Sequence, residues 1–82
     1  MLSKMQLEII TPEKKVFEGE VSSVQFPGLS GKFEVLNNHA PIISSLTKGK
    51  IRVIDNNNKT DFFEINGGVI EMQNNRIIVL AD

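Results

Sequence analysis

Apolar and polar residues alternate with period two along most of this chain, in short runs. Met5, Leu7 and Ile9 are separated by Gln6 and Glu8, the pattern of a strand with one face in a core and the other in water. Thr11-Pro12 closes that run. Val16 and Phe17 then make a brief second strand that meets Gly19, where a glycine predicts a bulge or tight bend. Val24 and Phe26 alternate with Ser23 and Gln25 up to Pro27-Gly28, and Phe33 and Val35 alternate with Lys32 and Glu34. Ala40 precedes Pro41 and is therefore a poor place to continue a helix. Ile42, Ile43 and Leu46 form a short apolar stretch, and Ile51 and Val53 oppose Lys50, Arg52 and Ile54.

Turn signals separate the later runs. Asp55-Asn56-Asn57-Asn58-Lys59 is the clearest hairpin turn, because Asn and Asp tolerate left-handed geometry and hydrogen-bond their own backbone. Phe63 and Ile65 follow, alternating with Phe62 and Glu64; Gly67-Gly68 leads into Val69–Gln73, and Asn74-Asn75 into Arg76–Leu80. The reading is all-β, about eight or nine short strands with turn signals roughly every 8–12 residues, as in a sandwich or small barrel. The whole chain, 1–82, reads as one domain. The expected inner face is Leu7, Ile9, Phe17, Val24, Phe26, Phe33, Val35, Ile51, Val53, Phe63, Ile65, Ile70, Met72, Ile77 and Val79. The last strand is apolar at Ile77, Ile78, Val79 and Leu80, on both faces. Either it is a central strand with a loop folded over its outer side, or Ile78 and Leu80 border a protein-binding patch.

Composition narrows the function classes. A chain of 82 residues buries only about 60% of the surface its unfolded form exposes, so its core is marginal and small scaffolds of this kind lean on staples or partners. There is no cysteine, hence no disulfide and no thiolate metal site. Net charge is −1, which supplies no general attraction to nucleic acid or anionic lipid. No apolar run approaches the roughly 20 residues of a membrane-spanning helix, and the first residues lack the apolar region of a signal peptide.

Candidate chemistry is sparse. His39 is the only histidine, so a multi-histidine metal site is impossible, and no cofactor site is expected. It could act as a general base only with carboxylates from elsewhere; a structural or interface hydrogen bond is the favoured role. Gly28-Leu29-Ser30-Gly31 is one residue short of a nucleophile elbow, and neither Gly31-Lys32 nor Gly49-Lys50 has phosphate-loop spacing. Lys48, Lys50 and Arg52 share a parity, either as a basic stripe for an acidic partner or as a solvated strand face. Asn58-Lys59-Thr60 matches a glycosylation acceptor, a pattern common by chance. The absence of Tyr and Trp to stack on bases weakens a single-stranded nucleic-acid reading. An enzyme is not expected.

The loop chemistry then carries the argument. Leu7–Pro12, Phe17-Glu18-Gly19, Pro27-Gly28 through Gly31-Lys32-Phe33, His39-Ala40-Pro41, Lys48–Arg52, Gly67–Glu71 and Val79-Leu80-Ala81-Asp82 occur in order along nearly the whole chain. In that order they resemble the epsilon subunits of F-type ATP synthases. The resemblance implies a ten-stranded, two-sheet β-sandwich at the foot of the rotating central stalk. One side would pack on the gamma subunit, and one end of loops would rest on the ring of c subunits. Such a protein is non-catalytic and part of a heteromeric complex. It would sit peripherally on the cytoplasmic face of a bacterial inner membrane without inserting, and would couple ion translocation to ATP synthesis. Gly28, Leu29, Ser30, Gly31 and Lys32 resemble the ring-facing loop, with His39, Ala40 and Pro41 in its neighbour; Lys32 departs from the acidic or polar residue common there. Leu46, Ile78 and Leu80 are the expected gamma-facing patch. Longer members continue into a helical hairpin that restrains ATP hydrolysis; a chain ending at Asp82 would clamp the stalk without that hairpin. The alternative reading is a free-standing β-sandwich interaction module.

Overall fold

A computed structural model describes residues 4–82. Eight strands account for the regular structure: β1 Met5–Ile10, β2 Lys15–Gly28, β3 Gly31–Leu36, β4 Ile42–Leu46, β5 Gly49–Asp55, β6 Thr60–Ile65, β7 Gly68–Gln73 and β8 Arg76–Ala81. The described residues contain no helix, and so none long and apolar enough to cross a membrane. The all-β reading holds, with eight strands among the described residues where the resemblance implied ten.

Against the runs read from the sequence, the difference lies in β2. The runs around Val16 and Val24 are one strand of 14 residues, and Gly19 sits inside it, paired with Leu7 of β1. The irregularities fall elsewhere, between Val21 and Ser23 against β5 and between Ile9 and Ile10 against β1. An unpaired residue bends a strand and increases its twist. The break at Ser22 is where β2 leaves one layer and enters the other. Its first half pairs with β1, and its second half lies between β3 and β5. Ser22 Oγ donates to the carbonyls of Ile54 and Asp55, at 3.0 and 3.1 Å, which fixes the corner.

Two layers follow from this shared strand. One runs β4-β7-β8-β1 to the first half of β2, and the other is β3, the second half of β2, β5 and β6. The β1–β8 pair is parallel and the remaining pairs are antiparallel. Corners made by a strand that switches sheets are a known solution for packing two sheets face to face.

Alternate residues of each strand meet between the layers in one cluster that includes Leu7, Ile9, Val24, Phe26, Ile51, Ile70, Ile77 and Val79. Phe26 is fully buried, with its ring 5.5 Å from that of Phe33. Phe17 and Phe63 meet edge to face at 5.3 Å across the two layers. Phe17, Phe33 and Phe63, expected in the core, are its partly buried border. Met5, Val21, Leu46 and Ala81 belong to the core and were not on the expected inner face. Leu46, expected on the gamma-facing patch, is only 4% exposed and belongs to the core: it ends β4 opposite Gly68.

The turns are those the sequence announced. Asn74 and Asn75, with φ of 54° and 60°, make the two-residue turn between paired Gln73 and Arg76, the geometry whose twist matches a hairpin. In the Asp55–Lys59 turn, Asp55 Oδ1 accepts from the backbone of Asn57 and Lys59 at 2.8 and 2.9 Å. The β6–β7 corner uses Gly67 and Gly68, with φ of 138° and 149°.

Candidate interaction surfaces

The outer faces of the two layers differ in chemistry. On the β3-β2-β5-β6 layer, Glu34 and Arg52 are joined across Gln25 by an ion pair of 2.9 Å. Lys50 lies 6.0 Å from the centre of the Phe62 ring. Lys48 precedes β5 in a bend, so the basic stripe reduces to Lys50 and a salt-bridged Arg52. A solvated, charge-compensated face accounts for it.

The outer face of β4-β7-β8-β1 is apolar at its centre. By register, Val69 pairs with Leu80 and Leu80 with Ile10. Ile78 lies in the next row, between Glu71 and Glu8, and Ile43 is opposite Glu71. Ile43 is 75% exposed, Leu80 56% and Val69 45%, while Ile78 and Ile10 are half-buried. β8 is therefore central in its layer, yet Leu80 stays open. Ile78 and Leu80, the residues the sequence offered for a binding patch, both lie on this outer face. Ile43, Val69 and Ile10 were missed, although a signal existed. The dipeptides Ile9-Ile10, Ile42-Ile43, Val69-Ile70 and Ile77-Ile78 are apolar on both parities and fall on strands of this layer, but Val53-Ile54 and Phe62-Phe63 share that pattern on β5 and β6 of the other, so the signal alone does not single this face out.

Charges border this face. Lys15 Nζ bridges Glu8 at 2.8 Å and Glu18 at 3.1 Å. The hydrogen bond to Lys15 holds the Glu8 carboxyl below its usual 4.5. The bonds to Glu8 and then Glu18 raise the Lys15 ammonium above its usual 10.5.

The two expected ring-facing loops are not neighbours at one end. Leu29 and Ser30 form the tip joining β2 to β3, whereas Asn37–Pro41 leaves the far end of β3. Six residues of extended chain at about 3.3 Å each hold them roughly 17–20 Å apart.

The tip is braced. The Leu29 backbone donates to Ser45 O at 3.3 Å and that of Thr47 to Pro27 O at 2.8 Å. Gly28 has no room for a side chain: a Cβ there would lie 2.7 Å from Gly31 O and 2.9 Å from the Phe33 ring. Leu29 projects into solvent at the apex. A groove of about 350 Å³ runs between the tip and Ile43–Ser45 of β4, so Ile43 lies on both the groove and the apolar face.

The His39 loop is pinned by Asn75, which the sequence marks only as a turn residue. Asn75 is 9% exposed. Its Oδ1 accepts from the Asn38 backbone at 2.7 Å, and its Nδ2 donates to Asn37 Oδ1 at 2.8 Å and Asn38 Oδ1 at 3.1 Å. Its carbonyl accepts from the Gln6 backbone at 2.8 Å. His39 itself is exposed, with Nδ1 2.8 Å from Ala40 O and no hydrogen-bonded carboxylate among the described residues. An open cleft of about 460 Å³ lined by Lys4, Asn38, His39, Pro41, Asn74 and Asn75 lies beside it. No group of three or more His, Cys, Asp or Glu side chains among the described residues is placed to hold a metal ion.

These features describe a small β-sandwich with a braced tip, one outer face that mixes the Glu34–Arg52 ion pair with exposed Leu36 and Phe62, and one outer face that is apolar at its centre. The chain belongs to the ATP synthase Delta/Epsilon chain β-sandwich domain family, whose profile matches residues 4–82. It is 42% identical over 77 residues to the ATP synthase epsilon chain of Chlorobium limicola, an alignment covering 94% of this chain and 88% of that one. The epsilon chain of Campylobacter curvus is 43% identical over 81 residues, covering 99% of this chain and 63% of its own length. A chain in the cryo-EM structure of Euglena gracilis mitochondrial ATP synthase (OSCP, F1 and c-ring) superposes with a TM-score of 0.90 at 18% identity, over 95% of this chain and 50% of that one. The last likeness is one of fold.

Proposed function

We propose that this chain is a non-catalytic subunit of the central stalk of a rotary, ion-driven ATP synthase. It would be peripheral on the cytoplasmic face of a bacterial inner membrane and would hold the gamma subunit to the c-subunit ring. The observation that carries the proposal is the family match across all described residues, joined to an apolar outer face that nothing in the described chain covers. Large exposed apolar patches with polar rims mark interaction sites.

The surfaces divide between two partners. The gamma side is the β4-β7-β8-β1 outer face, carried by Ile78 and Leu80 and enlarged by Ile43, Val69 and Ile10. The ring side is the β2–β3 tip, Gly28, Leu29, Ser30, Gly31 and Lys32, where a short braced turn offers a stiff polar backbone and one basic side chain. The His39-Ala40-Pro41 loop stands off from that tip. A clamp that transmits torque has to resist bending. The support here is a two-layer core with a corner strand shared by both layers and turns locked by Asp55 and Asn75.

The test is recovery of partners. The tagged chain is expressed in its host, membranes are extracted mildly, and the co-purifying proteins are identified. Gamma, the catalytic head and c subunits are expected together. Recovery of the chain without gamma or the head overturns the proposal and returns the free-standing interaction module as the better account.

A further inference from the structure

Asn66 is the only asparagine of the eight in this chain that is followed by glycine. It is exposed, between β6 and β7, and no side-chain hydrogen bond restrains its amide among the described residues. Gly67 is buried; its carbonyl accepts from the Asp82 backbone at 3.0 Å, but its N–H has no partner among the described residues. That N–H is the group that would attack the preceding side-chain amide. At most other asparagines its counterpart is held. The backbone N–H groups of Asn38, Asn57 and Lys59 donate to side-chain oxygens of Asn75 and Asp55. Those of His39 and Asn58 donate to the carbonyls of Leu36 and Asp55. Arg76 opens β8. At Asn74 the following residue, Asn75, carries a buried side chain that crowds the approach, whereas Gly67 has no Cβ to obstruct it.

We propose that Asn66 is a site of spontaneous deamidation in the folded protein. The Gly67 nitrogen, giving its proton to water, bonds to Asn66 Cγ. The Cγ–Nδ2 bond breaks and ammonia leaves, forming a five-membered imide. Water then opens the imide at either carbonyl, leaving aspartate or isoaspartate at position 66. The net change exchanges an amide for a carboxylate at the expense of one water, with no change of oxidation state. This is covalent chemistry that alters local charge.

The consequence is local. A Cβ on Gly67 would lie 3.0 Å from Asp82 Oδ2, so the Asp82 carboxylate lies against the residue that directly follows the new carboxylate. Isoaspartate also inserts a methylene into the main chain ahead of Gly67, whose φ of 138° and bond to Asp82 hold the β6–β7 corner against the end of β8. Both products loosen that end, two residues from Leu80.

The native protein is incubated in mildly alkaline buffer and mapped by peptide mass spectrometry, with a urea-denatured sample and an Asn66→Ser variant in parallel. The expected result is conversion at Asn66 several-fold faster than at any other asparagine in the folded sample, with both aspartate and isoaspartate products and none at position 66 in the variant. The proposal is overturned if the folded protein converts first at another asparagine. It is equally overturned if Asn66 reacts only when denatured, because the corner then protects it.

Discussion

Replacing Leu80 with aspartate separates a docking face from a core. Leu80 is 56% exposed, while its neighbours Val79 and Ala81 point inward. Fully burying a leucine side chain contributes about 1.5–3 kcal/mol, so a side chain still roughly half exposed retains about 1 kcal/mol for a partner. A carboxylate in its place loses that term. It must also be desolvated against the partner's apolar surface, at about 1–3 kcal/mol or more when unpaired. The expected cost to partner binding is therefore about 2–4 kcal/mol, or roughly 30- to 700-fold in affinity. The cost to folding of the isolated chain should stay within about 1 kcal/mol, as for an exposed position. Ile77→Ala is the internal control. Ile77 lies three residues away on the same strand and is 1% exposed, and truncation there should cost about 2–5 kcal/mol of folding stability. The assays are urea unfolding of each isolated variant and titration of each against gamma. The reasoning is refuted if Leu80→Asp destabilises folding as much as Ile77→Ala, or if it leaves gamma binding unchanged while the fold is intact.

Two further outcomes follow from the loop clamps and the rim. Asn75→Gly keeps a residue that accepts φ of 60° but removes three side-chain hydrogen bonds; at about 0.5–1.5 kcal/mol each, stability should fall by about 2–4 kcal/mol, read by urea unfolding, with the Asn38 and His39 amides losing hydrogen-exchange protection first. Unchanged protection would mean that the loop is ordered by something other than Asn75. The Glu8–Lys15 pair sets a pH window. Its lowered carboxyl contributes stability above about 4.5 that is lost as pH falls through the folded value, and its raised ammonium contributes stability below about 10.5 that is lost as pH rises through the folded value. The stability difference between wild type and Lys15→Met should be level across neutral pH and shrink at both extremes; a difference independent of pH would show that packing of the lysine stem, not charge, is responsible.

The strands were legible because their period is local. Alternation at Leu7–Ile9, Ile51–Val53 and Ile70–Met72 states which side chains turn inward without reference to any other strand. The Asn and Asp turns were legible for the same reason, since left-handed geometry and side-chain-to-backbone bonds are made within four or five residues. Continuity across Gly19 was not, because a glycine marks a bend only when the neighbouring strands allow one. Here Leu7 keeps Gly19 in register, and the bend falls at Ser22, where β5 takes over from β1 as partner. Leu46 read as surface because its run was too short to show a period; its burial depends on Gly28 and Gly68, distant residues that pair with it.

The candidate surfaces divide in the same way. By itself the sequence determined an all-β chain with Ile78 and Leu80 apolar on the wrong parity for a one-sided strand, and it carried the ordered motifs that mark the family. Only the tertiary structure decided that four doubly apolar strands lie side by side and leave one continuous face open. It alone decided that Asn75 reaches across to hold the loop at Asn37 and Asn38, and that the length of β3 separates the Gly28–Lys32 tip from the His39 loop. Periodicity is written along the chain, whereas adjacency is a property of strand order, which forms only when distant segments pair.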